Sequence, residues 1–493
     1  MTSHPVVRVR PRLGEQSDDE SVPARALRAG VQALQEELGV QAAFPPEVTV
    51  AAEAAAASPR LPSLDRTDLP FLTIDPEGAR DLDQAMHLAR DGEGPDAGFV
   101  VHYAIADVAA FVRAGDAVDV EAHERGETLY GADSKLPLHP PGLSEGAASL
   151  LPDEVRPALL WTIRMDAHGE RTDSHVERAL VRSVVQLTYE EAHAHIEAGT
   201  GPETLGVLAE LGPLRLQREA SRGGVSLPLP EQEVVVDGRR WHLEHRARLP
   251  VEDWNAQISL LTGFAAAAMM VYARVGLLRT LPPADPADVQ RLHRTARALG
   301  IDWPAEMLYP DFVRTLDPAE PAHAAMVVAC TRLLRGSGYV AFDGELPAQP
   351  MHAALATEYA HVTAPLRRLG DRYAGEICLA LCAGTDVPGW VLDALPGLPE
   401  TLKASARRAG QYERGILDLV EAGVLDGQVG SEFDAVVVEV DESGTRGQIV
   451  IAEPAVEGRV QAPEGHPLTL GSDLRVRLVE ADVEQRRVRF EPA

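Results

Sequence analysis

The sequence predicts an α+β protein with a large mixed domain, a five-stranded β-barrel of the OB type at its C-terminal end and a short helical region at its N-terminal end. Three observations predict this fold class. The 493 residues are 45% hydrophobic and 25% charged, which suffices for one large core and smaller modules. Strand-like runs fill residues 71–112, whereas helix-like runs follow from residue 252 onwards. Beyond residue 427, five short strand-like runs alternate with turn sequences.

Residues 1–62 form the predicted helical region. Apolar residues recur from Leu27 to Leu38 at helical spacing, and a second helix is predicted to begin at Pro46 and to continue through an alanine tract. Residues 1–20 are polar and are expected to be disordered. Two helices around a short turn leave two alternatives: a helix-turn-helix that binds DNA, or two helices that pack on the rest of the chain. The second helix carries no Lys or Arg, which favours packing.

Residues 63–427 form the predicted large domain. Its predicted helices are 252–274, 286–299, 322–335, 366–383 and 398–424. The longest apolar run, residues 258–273, has 16 residues, whereas about 20 are needed to cross a membrane. We therefore interpret this run as a buried helix and expect no contact with a membrane.

The composition limits the class of protein. Asp and Glu number 75 against 46 Lys and Arg, a formal charge of −29, so the chain is not expected to coat nucleic acid non-specifically and any polyanion site must be local. Only two of the basic residues are lysines, Lys135 and Lys403. The three cysteines include no CxxC pair, and no apolar segment follows the first residues. These features predict a reduced, cytoplasmic protein.

Residues 428–493 form the predicted barrel. Arg475 and Arg477 repeat with a period of two, as do Arg487 and Arg489, so each pair is expected to lie on one face of its strand. This spacing leaves two interpretations open: a basic row that binds a polyanion, or an ordinary solvated outer face.

Residues 71–86, FLTIDPEGARDLDQAM, are the most informative stretch. Asp75 ends an apolar run, a loop containing Pro and Gly follows, and Asp81 and Asp83 are then expected to share one face at the entry of the next strand. Carboxylates held this close repel each other unless a cation neutralises them, and Mg²⁺ or Mn²⁺ prefers such oxygen ligands. The alternative, an acidic turn with capping aspartates, stays open on this motif alone.

The residues around this motif resemble the catalytic RNB domain of the ribonuclease II / ribonuclease R family of exoribonucleases. The similar blocks follow one another in order from residue 73 to residue 422. They are TIDPEGARDLDQA (73–85), HYAIADVAAFV (102–112), GETLYGADSKLPLHPPGLSEGAASLLPDEVRP (126–157), RGGVSLPLPE (222–231), YAHVTAPLRRLGDR (359–372) and ARRAGQYERGILDLVEA (406–422). The family also carries an OB-type barrel at its C-terminal end.

This resemblance implies that residues 63–427 are a mixed RNB catalytic domain and that the chain is an enzyme. The implied activity is hydrolysis of RNA from its free 3′ end, in the 3′→5′ direction, to nucleoside 5′-monophosphates. The implied partner is mainly single-stranded RNA, and the implied cofactor is Mg²⁺, with Mn²⁺ as the alternative. The sequence leaves the protein partners unknown.

The resemblance also implies roles for individual residues in the chemistry. The predicted catalytic residues are Asp75, Asp81, Asp83 and Arg367. The three aspartates are expected to hold the metal, and Arg367 is expected to stabilise charge on the reacting phosphate. Pro365 is expected to begin a helix, which would place Arg367 and its neighbour Arg368 at a helix N terminus, where anions are favoured.

Further residues are implied to contact the RNA. Tyr130 matches a family tyrosine that stacks on a base near the 3′ end, and Glu413 matches a glutamate near the terminal nucleotide. A half-buried strand aromatic and an exposed helix charge are the respective alternatives. The predicted RNA-binding residues are Tyr130, Arg367, Arg368, Glu413, Arg475 and Arg477.

The chain also departs from the family pattern. Gln84 stands where the family usually has a fourth aspartate; it is predicted as a metal ligand that brings no charge and therefore lowers metal affinity. This departure keeps open the alternative of a catalytically weak RNA-binding scaffold of the same fold. Residues 1–70 are too few for the two N-terminal cold-shock barrels of typical bacterial members, so a more open entrance for RNA is expected.

Overall fold

The computed structural model describes residues 8–12, 22–94, 96–131, 135–228, 231–237, 240–246, 248–463 and 465–493. Its strands are β1 (Arg8–Arg12), β2 (Phe71–Ile74), β3 (Gln84–Asp91), β4 (Gly98–Ala106), β5 (Leu129–Tyr130), β6 (Lys135–Leu136), β7 (Val155–Met165), β8 (Arg171–Leu187), β9 (Glu231–Asp237), β10 (Arg240–Arg246), β11 (Val275–Thr280), β12 (Gly338–Asp343), β13 (Met351–His352), β14 (Thr357–Glu358), β15 (Glu432–Val440), β16 (Arg446–Ile451), β17 (Val456–Gln461), β18 (Asp473–Asp482) and β19 (Arg487–Pro492). Its α-helices are α1 (Val22–Glu37), α2 (Pro46–Ala57), α3 (Ala117–Arg125), α4 (Tyr189–Ala198), α5 (Glu203–Arg222), α6 (Pro250–Ala273), α7 (Pro286–Ala298), α8 (Tyr309–Arg314), α9 (Pro321–Cys330), α10 (Leu369–Ala383), α11 (Gly389–Ala394) and α12 (Leu398–Val424).

Strands β2, β3, β4, β7 and β8 form a closed barrel in that order, here called the catalytic barrel. Its strands pair antiparallel, except that β2 closes the ring by pairing in parallel with β8. Side chains alternate across β4: Val101 and Tyr103 pack with α5, α6 and α10, whereas Ala104 and Ala106 belong to a second apolar cluster that includes α2. Because both faces are covered, β4 is almost entirely buried.

Helix α6 contains the apolar run at 258–273. By length and composition alone this helix could cross a membrane. In the fold, however, Ile258, Leu261, Ala265 and Met270 belong to the main core against the catalytic barrel. The prediction of a buried helix is therefore confirmed.

The two N-terminal helices pack into different apolar clusters. Leu27 and Leu34 of α1 lie against α12, where a Cβ at Gly423 or Gly415 would come within 2.6 or 2.7 Å of those leucines. A larger residue at either position would therefore force these leucine side chains to shift. Val48 of α2 instead packs into the cluster that includes α3 and the catalytic barrel. Since a helix-turn-helix needs its helices to share one core, this arrangement favours packing on the rest of the chain.

Most predicted helices lie where the sequence places them. Helix α12 has the predicted bounds 398–424, and α7 and α9 begin within one residue of the predicted positions. The helix predicted at 366–383 begins later, at Leu369. The expectation of disorder over residues 1–20 is wrong for residues 8–12, because these form β1 and pair in parallel with β9.

The C-terminal strands form a second closed barrel, β15-β16-β17-β19-β18, here called the C-terminal barrel. Its one parallel pair is β17 with β19. Its interior residues, such as Val437 and Phe490, continue into the apolar cluster of α1 and α12, so this barrel is docked through α12. The predicted five-stranded OB-type barrel is confirmed. The predicted borders at 62/63 and 427/428 fall in the connections between α2 and β2 and between α12 and β15.

Candidate active site

The predicted acidic residues lie at one end of the catalytic barrel. Asp75 follows β2, and its backbone N–H donates to the carbonyl of Leu187 at 3.0 Å. Asp83 precedes β3, and its backbone carbonyl accepts from the N–H of Ala106 at 2.9 Å. Ser149 holds the segment between them, because its hydroxyl donates to the carbonyl of Arg80 at 2.6 Å and accepts from the backbone N–H of Leu82 at 2.9 Å. Antiparallel pairing of β2 with β3 therefore brings Asp75, Asp81 and Asp83 to the same end of the catalytic barrel, here called the rim.

Asp83 is the most deeply buried of the three predicted catalytic aspartates, at 4% exposed. Its Oδ1 accepts the backbone N–H of Leu366 at 2.8 Å, and its Oδ2 lies 3.3 Å from Nε of Arg367. Burial raises the pKa of Asp83 to about 8 although Arg367 acts against the rise. A carboxylate in this surrounding is ionised at neutral pH only when a further cation stabilises it.

The carboxylates of Asp75 and Asp81 differ in their hydrogen-bond and ion-pair partners. Burial raises the pKa of Asp75 to about 6, and its buried Oδ2 has no hydrogen-bond partner among the described residues. Asp81 is instead paired: its Oδ1 lies 2.5 Å from Nζ of Lys135, which also lies 3.0 Å from Oε1 of Glu145. Asp75 thus presents an open acceptor, whereas Asp81 already has a cation.

The side-chain amide of Gln84 is engaged within the barrel. Its Nε2 donates to the carbonyl of Thr363 at 2.5 Å, and its Oε1 accepts from the hydroxyl of Tyr103 at 3.3 Å. Tyr103 lies 2.7 Å from the Ser259 hydroxyl of α6. Gln84 therefore links the 363–368 loop to the barrel, and its predicted ligation of a metal stays a prediction.

Arg367 lies in the loop just before α10. The prediction that a helix begins at Pro365 is wrong, since α10 begins at Leu369 with Arg368 as its N-cap. The loop is held to the barrel through Asp83, and Arg367 remains 42% exposed, so its guanidinium can reach a ligand. Its side chain is also hydrogen-bonded to Tyr130 of β5. Burial raises the pKa of Tyr130, so the phenol stays protonated at neutral pH.

Arg368 points to a different partner. Its Nε and Nη2 contact the two carboxylate oxygens of buried Asp371 at 3.0 and 2.8 Å, and Asp371 also accepts the backbone N–H of Ala364 at 2.7 Å. This bidentate pair stabilises the loop that carries Arg367. A direct RNA contact by Arg368 stays a prediction.

Glu413 lies on α12 beside Glu127. Burial, with the charge of Glu127, raises the pKa of Glu413 to about 7. Glu127 is in turn bridged through its backbone to Arg368. Its predicted contact with RNA stays a prediction.

Arg475 and Arg477 lie on one outer face of the C-terminal barrel, as their spacing predicts. Directly opposite them in the strand register are Asp434 and Glu432 of β15, with N–O distances of 2.8 and 3.1 Å. The basic row is therefore not formed, because carboxylates of the adjacent strand alternate with the arginines. The arrangement favours the solvated outer face, and RNA binding by Arg475 and Arg477 stays a prediction.

The donors fit a divalent cation only in part. In the described part of the chain, no group of three or more His, Cys, Asp or Glu side chains is arranged to hold a metal ion. Asp75 and Asp83 nevertheless offer desolvated carboxylate oxygens with raised pKa values, one of them without a partner. Such hard oxygen donors suit Mg²⁺ or Mn²⁺ completed by water and phosphate. These two aspartates are the residues that fit the ion.

Sequence reasoning missed Lys135 and Glu145. Both lie within the block 126–157, and Lys135 is one of only two lysines in a chain that otherwise uses arginine. That rarity is the signal that points to Lys135. Glu145 carries no comparable signal, since its contact with Lys135 arises only when the β5–β6 hairpin meets the turn at Leu143–Ala147.

A groove of about 1550 Å³ lies between α7, α12 and the C-terminal barrel, away from the aspartates. Eight arginines line it together with seven carboxylates. The near balance of charge means that this groove alone does not identify a path for phosphates.

Residues 64–381 match the RNB domain family, and residues 431–493 match the RNase II-type exonuclease C-terminal S1 domain. The first match covers more than half of the chain. With the closed barrels and the acidic rim described above, the chain belongs to the RNB family.

Individual relatives are distant. Ribonuclease R of Aquifex aeolicus is 28% identical over 459 residues, which cover 85% of this chain and 63% of that protein. The solved structure of Mycoplasma genitalium RNase R in complex with ribose methylated single-stranded RNA matches with a TM-score of 0.83 at 18% identity, over 100% of this chain and 86% of that one. Yeast Ssd1, a pseudonuclease, matches with a TM-score of 0.69 at 15% identity, over 88% and 55%. At these identities the two structures establish the fold.

Proposed function

We propose that this chain is a divalent-metal-dependent 3′→5′ exoribonuclease that acts in the cytoplasm. Its substrate is RNA with a free 3′ end, mainly single-stranded, and its products are nucleoside 5′-monophosphates. The observation that carries the proposal is the rim of the catalytic barrel, where buried Asp83 is held beside the accessible guanidinium of Arg367. Relatives named Ribonuclease R support the same activity.

The residues of the rim have different roles in the proposed reaction. Asp75 and Asp83 would hold Mg²⁺ or Mn²⁺, which would supply Lewis-acid charge to the phosphate and to the attacking water. Arg367, aimed by Asp83 and Tyr130, binds a non-bridging phosphate oxygen and stabilises the charge that develops there. Tyr130 offers a ring on which a base can stack without sequence preference. Burial of Asp83 strengthens its own interaction with the guanidinium of Arg367.

A second candidate function is an RNA-binding scaffold with weak catalysis. The observation that favours it is the reduced negative charge of the rim: Gln84 replaces a carboxylate, and Lys135 neutralises Asp81. The yeast protein Ssd1, which shares this fold, is a pseudonuclease. Intact Asp75, Asp83 and Arg367 favour the exoribonuclease.

The test uses a 5′-labelled single-stranded RNA incubated with Mg²⁺, Mn²⁺ or EDTA and resolved on a sequencing gel. Wild type is compared with Asp83→Asn and with the matched control Asp434→Asn, an exposed aspartate of the C-terminal barrel. We expect progressive shortening from the 3′ end that needs metal and is lost only in Asp83→Asn. Intact RNA in every lane, together with a gel shift, would instead support the scaffold.

The same gel separates RNA from DNA. A deoxyribo-oligonucleotide of the same sequence is added as a competitor, and we expect it to inhibit less than the ribo-oligonucleotide, since the 2′-hydroxyl distinguishes the two. Equal inhibition would contradict RNA as the substrate class.

A further inference from the structure

Lys135 places an ammonium group among the acidic side chains of the rim. Its Nζ lies 2.5 Å from Oδ1 of Asp81 and 3.0 Å from Oε1 of Glu145, and its side chain is 25% exposed. The β5–β6 hairpin pairs Lys135 directly with Tyr130. Because Tyr130 in turn contacts Arg367, the hairpin register fixes the ammonium relative to the guanidinium.

The charges of the rim leave room for one divalent ion. Its carboxylates are those of Asp75, Asp81, Asp83 and Glu145, and its cations are Lys135 and Arg367. Among the residues that the structure describes, four negative charges against two positive ones leave two, which is the charge of a single Mg²⁺ or Mn²⁺. The neighbouring Arg368 and Asp371 neutralise each other and do not change this balance.

The carboxylates of the rim fall into two groups, according to whether they contact Lys135. Asp75 has a buried oxygen without a partner among the described residues, and Asp83 contacts Leu366 and Arg367 but not Lys135. Asp81 and Glu145, in contrast, both contact Lys135. Gln84 brings no charge, and its amide already binds Tyr103 and Thr363. A second ion would therefore have to displace Lys135 from both of its carboxylates.

We propose that Lys135 takes the place of a second divalent ion, so that the site holds one Mg²⁺ or Mn²⁺ rather than two. The inference rests on the proposed function for the reaction it serves, but the number of ions can be measured without any reaction. A lysine ammonium suits this role because it is a compact point charge, whereas the planar guanidinium of arginine spreads its charge over a fork. Arginines outnumber lysines 44 to 2 in this chain, yet this position is a lysine.

The test counts Mn²⁺ ions bound to the full chain by electron paramagnetic resonance of the free ion. Wild type is compared with Lys135→Met, which removes the charge, and with Lys135→Arg, which keeps it. Lys403→Met is the matched control, since Lys403 is the other lysine and is exposed on α12. We expect one ion in wild type, Lys135→Arg and Lys403→Met. In Lys135→Met, Asp81 and Glu145 lose their cation, so we expect a second ion.

The affinity for the first ion should also change in Lys135→Met. Removing a positive charge beside the site should tighten Mn²⁺ binding by about tenfold or more, since charges at this range interact strongly in a partly buried site. Two ions in wild type would overturn the inference, even if Lys135→Met does not fold. An unchanged count and affinity in a folded Lys135→Met chain would also overturn it.

RNA cleavage by the same preparations keeps the two proposals apart. A wild-type chain that binds one Mn²⁺ and gains a second in Lys135→Met, but cleaves no RNA, supports the role of Lys135 and contradicts the exoribonuclease. A chain that cleaves RNA with two bound ions contradicts the role of Lys135 alone.

Discussion

The described part of the chain contains two closed five-stranded barrels, which differ in where they place charged side chains: buried in the first and exposed in the second. In the catalytic barrel, Asp83 is 4% exposed and Asp107 is fully buried. In the C-terminal barrel, Arg475 and Arg477 lie on the outer face, each half exposed and opposite a carboxylate of the adjacent strand. The number of strands is the same, and the difference lies in what covers them.

The cover comes from distant parts of the sequence. The 363–368 loop donates the N–H of Leu366 to Asp83, and the β5–β6 hairpin brings Lys135 to Asp81. Excluding water strengthens the interactions between charges at this rim. Nothing comparable covers Arg475 in the described part of the chain, so solvent screens its ion pairs. Four predictions test this contrast, from the largest expected effect to the smallest.

The largest effect is expected for Arg367→Ala. This variant removes a positive charge beside the reacting phosphate, so the rate of RNA hydrolysis should fall by about 10²–10³-fold. Single-turnover cleavage of labelled RNA measures the rate. Arg475→Ala is the matched control. A similar rate of hydrolysis in the two variants would show that Arg367 contributes no more to catalysis than an arginine on the C-terminal barrel.

A large loss of stability is expected for Asp107→Ala in the catalytic barrel. The fully buried Asp107 accepts from Nε of Arg178 at 2.7 Å, and Arg178 also contacts Glu376. Removing Asp107 leaves the positive charge of Arg178 poorly compensated. Because Arg178 is 35% exposed, water reduces this cost, and the free energy of unfolding should fall by about 2–3 kcal/mol. Urea unfolding measures this change; a loss below about 0.5 kcal/mol would mean that the pair contributes no more than a surface pair.

The stability of the metal-free chain should depend on pH. The folded pKa values of Asp75 and Asp83 are about 6 and about 8, above an unfolded value of about 3.9. The stabilisation that protonated Asp75 and Asp83 contribute is therefore complete below about pH 4 and is lost as the pH rises through their folded pKa values. The reason is that burial makes these carboxyl groups harder to ionise in the folded chain than in the unfolded one. We expect a lower melting temperature at about pH 9 than at about pH 6.

The control for this prediction is Asp83→Asn, which cannot ionise at position 83. Its melting temperature should fall less over the same pH range, and Mn²⁺ should raise the melting temperature of wild type at the higher pH by more than it does in the variant. If wild type and Asp83→Asn lose the same stability, the burial of Asp83 does not control the charge of the site.

The smallest effect is expected for Arg477→Ala in the C-terminal barrel. Arg477 is paired with Glu432 at 3.1 Å on an exposed face, so the free energy of unfolding should change by less than about 1 kcal/mol. RNA affinity, measured by fluorescence anisotropy, should change by less than about twofold if this face only contacts solvent. A larger loss that grows at low salt would identify Arg477 as a phosphate contact after all.

Local pattern predicted much of the architecture. The spacing of Leu27 and Leu34 predicts helix α1, and the alternation along 475–477 predicts the shared face of β18. These features depend on residues close in sequence, which is why periodicity reveals them. The helix predicted at 366–383 begins three residues later, at Leu369, because Pro365 at a helix start is only a local preference and the 363–368 loop is held instead by Asp83 and Asp371.

The sequence by itself determined the family, the C-terminal barrel and the acidic motif with Arg367, because each is carried by short contiguous blocks of sequence. Only the tertiary structure decided how these charges are used. It placed Lys135 on Asp81, committed the amide of Gln84 to Tyr103, and set carboxylates opposite Arg475 and Arg477. The physical reason is that the charge and burial of a side chain depend on partners far away in sequence, and those partners meet only when the chain folds.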